Sequence, residues 1–313
     1  MRVILLGPQR RPTVDAVVRS LGFSGLAGPF ATVTAGWQER EADDGELVAR
    51  LGGRAVNLSL YRRWLDVQES DPEYAAGERA MQEVLAELQD IYLVRLDYAL
   101  QAVYALQRHS GQDWLLSDAV ASAIAAVREL DSAHLERVNE VRGEFFARLP
   151  PHERPSIAGH RAAVAGVLAE AAGLVVAGGD VSVLAEVLHL FNVAAALRGD
   201  LAGWPVIAWS AGAMGLTDRI VLFHDRAPQG PGHPEVYASG LSVLRDVVLL
   251  PHARARLLLD DTVRMAVFAR RFAPARCILL EAGTRVEAGE GGGYPPGTRA
   301  LGEDGHVTVL EAA

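Results

Sequence analysis

From residue 61 to residue 149 the chain runs through long stretches of Ala, Glu, Arg and Leu with no strand signal, and on either side of them short β-rich runs alternate with helical ones. Before this stretch, residues 2–6, 31–35 and 55–60 read as strands and 12–21 and 45–51 as helices, the rhythm of parallel βαβ units. Within it, 73–109 and 114–149 read as two long amphipathic helices broken at Ser110-Gly111. After Pro150-Pro151 the alternation returns: helix 156–172, strand 174–177, helix 181–197, strand 205–208 and a further helix. The expectation is an α/β fold, a mostly parallel sheet flanked by helices, with a long helical insertion. Residues 1–60 would form the first part of the α/β domain, 61–150 the insertion and 151–313 the second part. The tail, 298–310, reads as a hairpin around Glu303-Asp304-Gly305, and the glycine-rich stretch 289–293 as a flexible loop.

Composition removes several chemistries. The 313 residues contain no lysine, so all 30 basic residues are arginine. A P-loop lysine, a lysine Schiff base and a Ser/Lys dyad are therefore excluded, and any serine nucleophile must be activated by histidine. The single cysteine, Cys277, allows no internal disulfide, and no Cys/His grouping has zinc spacing, so no metal and no cofactor is expected. A net charge of −9 argues against a nucleic-acid partner. No apolar run has the ~20 residues of a membrane span, and MRVILLGPQRR reads as a first strand, so the expected location is the cytoplasm, with no membrane partner.

Three segments carry the chemistry. Val206 to Ala213 is an apolar strand followed at once by small residues around Ser210. A nucleophile elbow needs this, because its serine sits in strained backbone and the next helix must pass close by. The Ala211 N–H would then face a developing oxyanion. Thirty residues earlier, Leu174 to Asp180 is another strand, ending in Gly178-Gly179, and the N–H groups of Gly179 and Asp180 are candidates for the other half of the oxyanion hole. The plainer reading of that turn is a strand-to-helix connection with Asp180 as N-cap. The third segment is Leu249-Leu250-Pro251-His252, whose histidine follows a β-rich run and suits a general base at the same sheet edge. His224 also follows such a run.

Together these segments resemble the serine peptidase family of dipeptidase E and cyanophycinase, whose fold is of the class I glutamine amidotransferase type. Gly178-Gly179-Asp180 is similar to its glycine turn, Ser210-Ala211-Gly212-Ala213 to its elbow and Pro251-His252 to its histidine motif. The resemblance covers 1–60 weakly and 156–311 well, and leaves out the helical stretch. It implies a Ser-His-acid site that hydrolyses peptide or amide bonds: Ser210 attacks a carbonyl, His252 relays the proton and a carboxylate orients the imidazole. The acid it implies is Glu281, at the end of strand 277–280, and Asp225 competes for the role. It also implies acidic peptides, for which Arg254 and Arg256 offer bidentate grips beside Trp209; structural ion pairing of the arginines and packing of Trp209 beneath the elbow are the alternatives. Ala208, Leu250 and Ala253 depart from the family pattern.

Two other functions fit the same residues. One is an inactive amidotransferase-like binding or scaffold protein that uses its helices to hold a partner. The other is an α/β-hydrolase-type esterase, whose order Ser, Asp, His is matched by Ser210, Asp225 and His252. Along the second long helix Glu129, Asp131, His134, Glu136 and Glu140 are read as a solvated face rather than a metal site. Leu93, Tyr98, Val103 and Leu106 would face a partner helix in this chain or across a dimer, so that the insertion lids the cleft or builds a homo-oligomer.

Overall fold

The computed structural model describes residues 1–10, 13–20, 22, 27–197, 204–226, 232–289 and 293–311. The end residues of the expected helix 12–21 and the middle of the glycine-rich stretch 289–293 lie outside them.

Twelve strands, eleven α-helices and a 3-10 helix follow one another among these residues. Strands β1 (Arg2–Leu6), β2 (Phe30–Val33) and β3 (Ala55–Asn57) precede the helical stretch, and β4 (Gly173–Val176) and β5 (Pro205–Trp209) follow it. They assemble in the order β1-β5-β4-β2-β3, all parallel, with β10 (Arg285–Ala288) antiparallel on the β1 edge. Both faces are covered, and the side-chain period of two divides the strands between them. Val3, Leu5, Leu174, Val176, Val206 and Ala208 enter one core. Ile4, Leu6, Val175, Ala177, Ile207 and Trp209 enter the other, against α1 (Val14–Ser20) and α2 (Gly45–Arg50). This is why the strands read as unbroken apolar runs.

The expectation of one sheet edge carrying the whole site is corrected. The histidine segment belongs to a second, four-stranded sheet: β8 (Val247–Pro251) is parallel to β9 (Arg276–Leu280), which continues into the antiparallel tail β11 (Arg299–Leu301) and β12 (Val307–Val309). A short antiparallel pair, β6 (Ile220–Leu222) with β7 (Glu235–Ala238), forms a sheet of its own, and its Val221 and Val236 pack into the core of the second sheet.

Helices α3 (Leu60–Ser70), α4 (Pro72–Arg108), α5 (Asp113–Arg148) and α6 (Pro155–Glu170) separate β3 from β4. The α4/α5 pair reaches both cores it meets: Tyr74, Met81 and Phe145 join the core of the large sheet, and Tyr92, Leu96, Leu100, Val103 and Val127 that of the second sheet. A buried polar knot fastens it there. Arg271, on α11 (Thr262–Phe272), donates to both carboxylate oxygens of Asp131 at 2.7 Å and to the Pro234 carbonyl at 2.6 Å, while Tyr92 Oη donates to Asp131 at 2.8 Å. Truncating one partner of such a pair typically costs about 3–5 kcal/mol, because the other is left charged in a dry site. The expected solvated face of α5 is thus corrected at two of its five positions. Glu129, Glu136 and Glu140 are exposed, but Asp131 and His134 are buried, and His134 Nε2 lies 2.9 Å from Gln89 Oε1. Of the four residues expected to face a partner helix, Val103 is fully buried and Tyr98 points to solvent.

Candidate active site

At Ser210 the apolar strand β5 turns directly into α9 (Ala211–Met214), and the serine holds φ 50° and ψ −125°. Such a backbone costs a non-glycine residue about 1–3 kcal/mol and persists only where its surroundings impose it. Here they do. The Ser210 carbonyl accepts from the Met214 amide at 3.1 Å, and Ala211 to Met214 are all buried. A Cβ on Gly212 would stand 2.4 Å from the Ala177 carbonyl oxygen, and one on Gly178 would stand 2.8 Å from Ser210 Cβ. Glycine at these two positions lets the β4 turn and the elbow press together.

The glycine turn has a divided role. The Asp180 amide donates to the Gly36 carbonyl at 2.8 Å, and the Asp180 carboxylate caps α7 (Val181–Leu190) by accepting from Ser182 and Val183. The structure therefore takes the Asp180 amide out of the set of oxyanion donors. Among the described residues the Gly179 and Ala211 amides donate to no protein acceptor.

His252 follows the end of β8, as Ser210 follows that of β5, and it too has positive φ, 58° with ψ 33°. It is exposed. The parallel register of β8 and β9 sets Pro251 opposite Leu280, so His252 and Glu281 lie side by side past the strand ends. The His252 amide donates to the Leu280 carbonyl at 3.2 Å, and Glu281 Oε1 accepts from the Arg254 amide at 2.7 Å. Partial burial and the Arg256 guanidinium hold the His252 imidazole below its ordinary value, while Glu281 pulls it upward. A base so poised is neutral at physiological pH. No hydrogen bond joins the His252 ring to Ser210 Oγ or to Glu281 among the described residues. Catalytic bonds of this kind are often long until substrate is seated.

Asp225 is placed elsewhere. Its oxygens accept from Arg264 at 2.6 Å and from the Leu258 amide at 3.1 Å, and its own amide donates to the Arg256 carbonyl at 2.6 Å. The structure commits this carboxylate to the chain that follows His252 and not to the ring. Trp209 is buried to 4 % exposure in the core beneath the elbow while one edge lines the cleft.

A cleft of about 1000 Å³ collects Gly178, Gly179, Ser210, Ala211, His252 and Arg256. It lies at the carboxyl ends of β1, β2, β4 and β5, where open α/β sheets generally bind ligands. Arg256 lines it; Arg254 is not among its lining residues and contributes only its backbone. Two arginines that sequence reading missed, Arg10 and Arg40, also line it, together with His224, His233 and Glu235. Arg10 lies just past the end of β1 and Arg40 in the 3-10 turn Ala35–Arg40 after β2, so the rule that parallel strand ends share one rim was the available signal. Among the described residues no group of three His, Cys, Asp or Glu side chains is placed to hold a metal ion. No helix there is long and apolar enough to cross a membrane.

The family model of Peptidase family S51 matches residues 136–287, a span that contains the elbow, the glycine turn, His252 and Glu281. The likeness to this serine peptidase family is therefore shown, and it supports a serine-peptidase type of hydrolase. A solved structure titled as that of a peptidase from an acI-B1 Actinobacterium is similar at 14% identity and a TM-score of 0.45, covering 99% of this chain and 94% of that one. No curated protein matches the chain.

Proposed function

We propose that this protein is an active serine hydrolase of peptide or amide bonds, with Ser210 as nucleophile, His252 as general base and then acid, and Glu281 as the carboxylate that positions His252. The observation that carries the reading is the strained Ser210, at φ 50°, facing a cleft that it shares with an exposed histidine of lowered basicity. In the mechanism, Ser210 Oγ attacks the scissile carbonyl as His252 removes its proton. The new oxyanion is received by the Gly179 and Ala211 amides, which donate to no protein acceptor among the described residues. His252 returns the proton to the leaving amine, and water then repeats the sequence on the acyl-enzyme. Glu281 acts on the turn rather than on the ring, through the Arg254 amide, and supplies a negative charge that stabilises the imidazolium.

The substrate class belongs to the same proposal. Arg10, Arg40 and Arg256 ring the cleft, and guanidinium groups there favour a peptide bearing a carboxylate. The fold is read as that of the class I glutamine amidotransferases, with residues 61–150 as an insertion between the parts 1–60 and 151–313. The esterase alternative is weakened, because both oxygens of Asp225 are spent on Arg264 and Leu258.

Fluorophosphonate labelling tests the reading. The wild type is expected to label at Ser210; Ser210→Ala should abolish labelling and His252→Ala should reduce it strongly. His224→Ala, at the other histidine that follows a strand run, should leave it intact. A folded wild type that does not label would instead favour the inactive binding protein.

A further inference from the structure

The outer face of α4 carries a pattern that none of the other described residues covers. The inner face is in the core, with Tyr92, Leu96, Leu100 and Val103 at 0–2 % exposure. On the opposite side Val84, Ile91 and Tyr98 stand at 46 %, 52 % and 69 % exposure. Isolated exposed apolar residues are common, but three of them seven residues apart make a continuous stripe along one helix face.

The stripe is symmetric about Ile91. Val84 and Tyr98 lie seven residues to either side of it, Glu87 and Arg95 four, and Ala80 and Ala102 eleven, all offsets that stay on one helical face. Glu87 and Arg95 are exposed, and among the described residues neither side chain makes an ion pair or hydrogen bond within its own chain. A second α4 laid antiparallel across the first, with a two-fold axis at Ile91, sets Glu87 against Arg95 twice, Val84 against Tyr98 twice and the small Ala80 against Ala102. A parallel arrangement would oppose Glu87 to Glu87 and Arg95 to Arg95. From Ala80 to Ala102 the contact would run about 33 Å, at 1.5 Å per residue.

We infer that this face is the two-fold interface of a homodimer, and that its occupant is the same face of a second copy of this chain, packed antiparallel about Ile91. Isologous closure of this kind requires a self-complementary surface, and the pairing of the two unspent charges supplies the register as well as the partner. The interface is separate from the cleft, so it holds whether or not the protein is a hydrolase.

Sedimentation velocity on the full chain is expected to show a two-chain species at micromolar concentration. Ile91→Asp, which brings two carboxylates together on the axis, should weaken association by at least tenfold while the circular dichroism spectrum is unchanged. Glu87→Arg should weaken it as well, and Glu87→Arg combined with Arg95→Glu should restore it. Cross-linking reads the register directly, because the natural Cys277 is buried. Ile91→Cys should form an interchain disulfide under mild oxidation, whereas Ala80→Cys should not, its counterpart being Ala102 of the second copy. A chain that stays monomeric throughout, a dimer indifferent to Ile91→Asp and to the charge swap, or cross-linking of Ala80→Cys as readily as of Ile91→Cys would each overturn the inference.

Discussion

The two halves of the cleft are built on opposite principles. Ser210 and the Gly178-Gly179 turn sit at the ends of β5 and β4 in the large sheet, packed so closely that a Cβ added at Gly178 would stand 2.8 Å from Ser210 Cβ. His252 sits at the end of β8 in the second sheet, exposed, on the four-residue helical turn α10 (Ala253–Arg256) steadied by one Glu281 carboxylate contact. Both residues have positive φ, but at Ser210 the strain is imposed by packing and at His252 by a tight turn. The comparison teaches that the nucleophile half is set rigidly by the fold. The base half depends on how the second sheet docks and on side chains free to adjust. The departures from the family pattern divide accordingly. Leu250 and Ala253 fall in the base half; Ala208, in the nucleophile half, is fully buried in β5, where a methyl group is accommodated.

The largest expected effect separates function from folding in the base half. On the proposed mechanism, His252→Ala should lower kcat/KM by about 10²–10⁴-fold. Its stability in urea should change by no more than about 0.5 kcal/mol, the range for an exposed site. If both fell together, the contrast between the halves would be wrong. Next comes the nucleophile half: Gly178→Ala would press a Cβ on Ser210 at 2.8 Å and should cost activity on the order of 10²-fold, together with a measurable drop in Tm. A fully active Gly178→Ala enzyme would show the elbow to be looser than its packing implies.

Smaller effects sharpen the electrostatics of His252. A base must be unprotonated, so activity falls as pH drops through its pKa. Arg256 depresses that pKa and Glu281 raises it. Arg256→Ala should therefore move the acid limb of the kcat/KM profile to higher pH, and Glu281→Gln should move it to lower pH. If Arg256 also grips a substrate carboxylate, its removal should raise KM by roughly tenfold. Asp225→Asn is the control: it should lower stability through the loss of its Arg264 ion pair and leave the acid limb in place.

Legibility in the sequence followed the same division. Strands β1, β4 and β5 were readable within a residue, because a strand covered on both faces is an uninterrupted apolar run. The elbow was readable because close packing permits only small residues after Ser210, and the tail hairpin because of its glycine turn. Strand β7 was not read, since its burial alternates and it stands after a proline-rich connection. Asp131 and His134 looked like part of a solvated face because charge alone does not reveal a partner 140 residues away, which for Asp131 is Arg271.

By itself the order of residues determined that this chain would be an α/β protein with a long helical stretch, and that any serine chemistry would need histidine, since lysine is absent. Local periodicity and local sterics act over a few residues and can be read from them. Only the tertiary structure decided that Ser210 and His252 reach one cleft from two different sheets, that Asp225 is spent on Arg264, that Asp180's amide is spent on Gly36, and that Arg10 and Arg40 join the rim. Those outcomes are set by how sheets dock and by which partner each polar group finds in space, and neither quantity is encoded at short range along the chain.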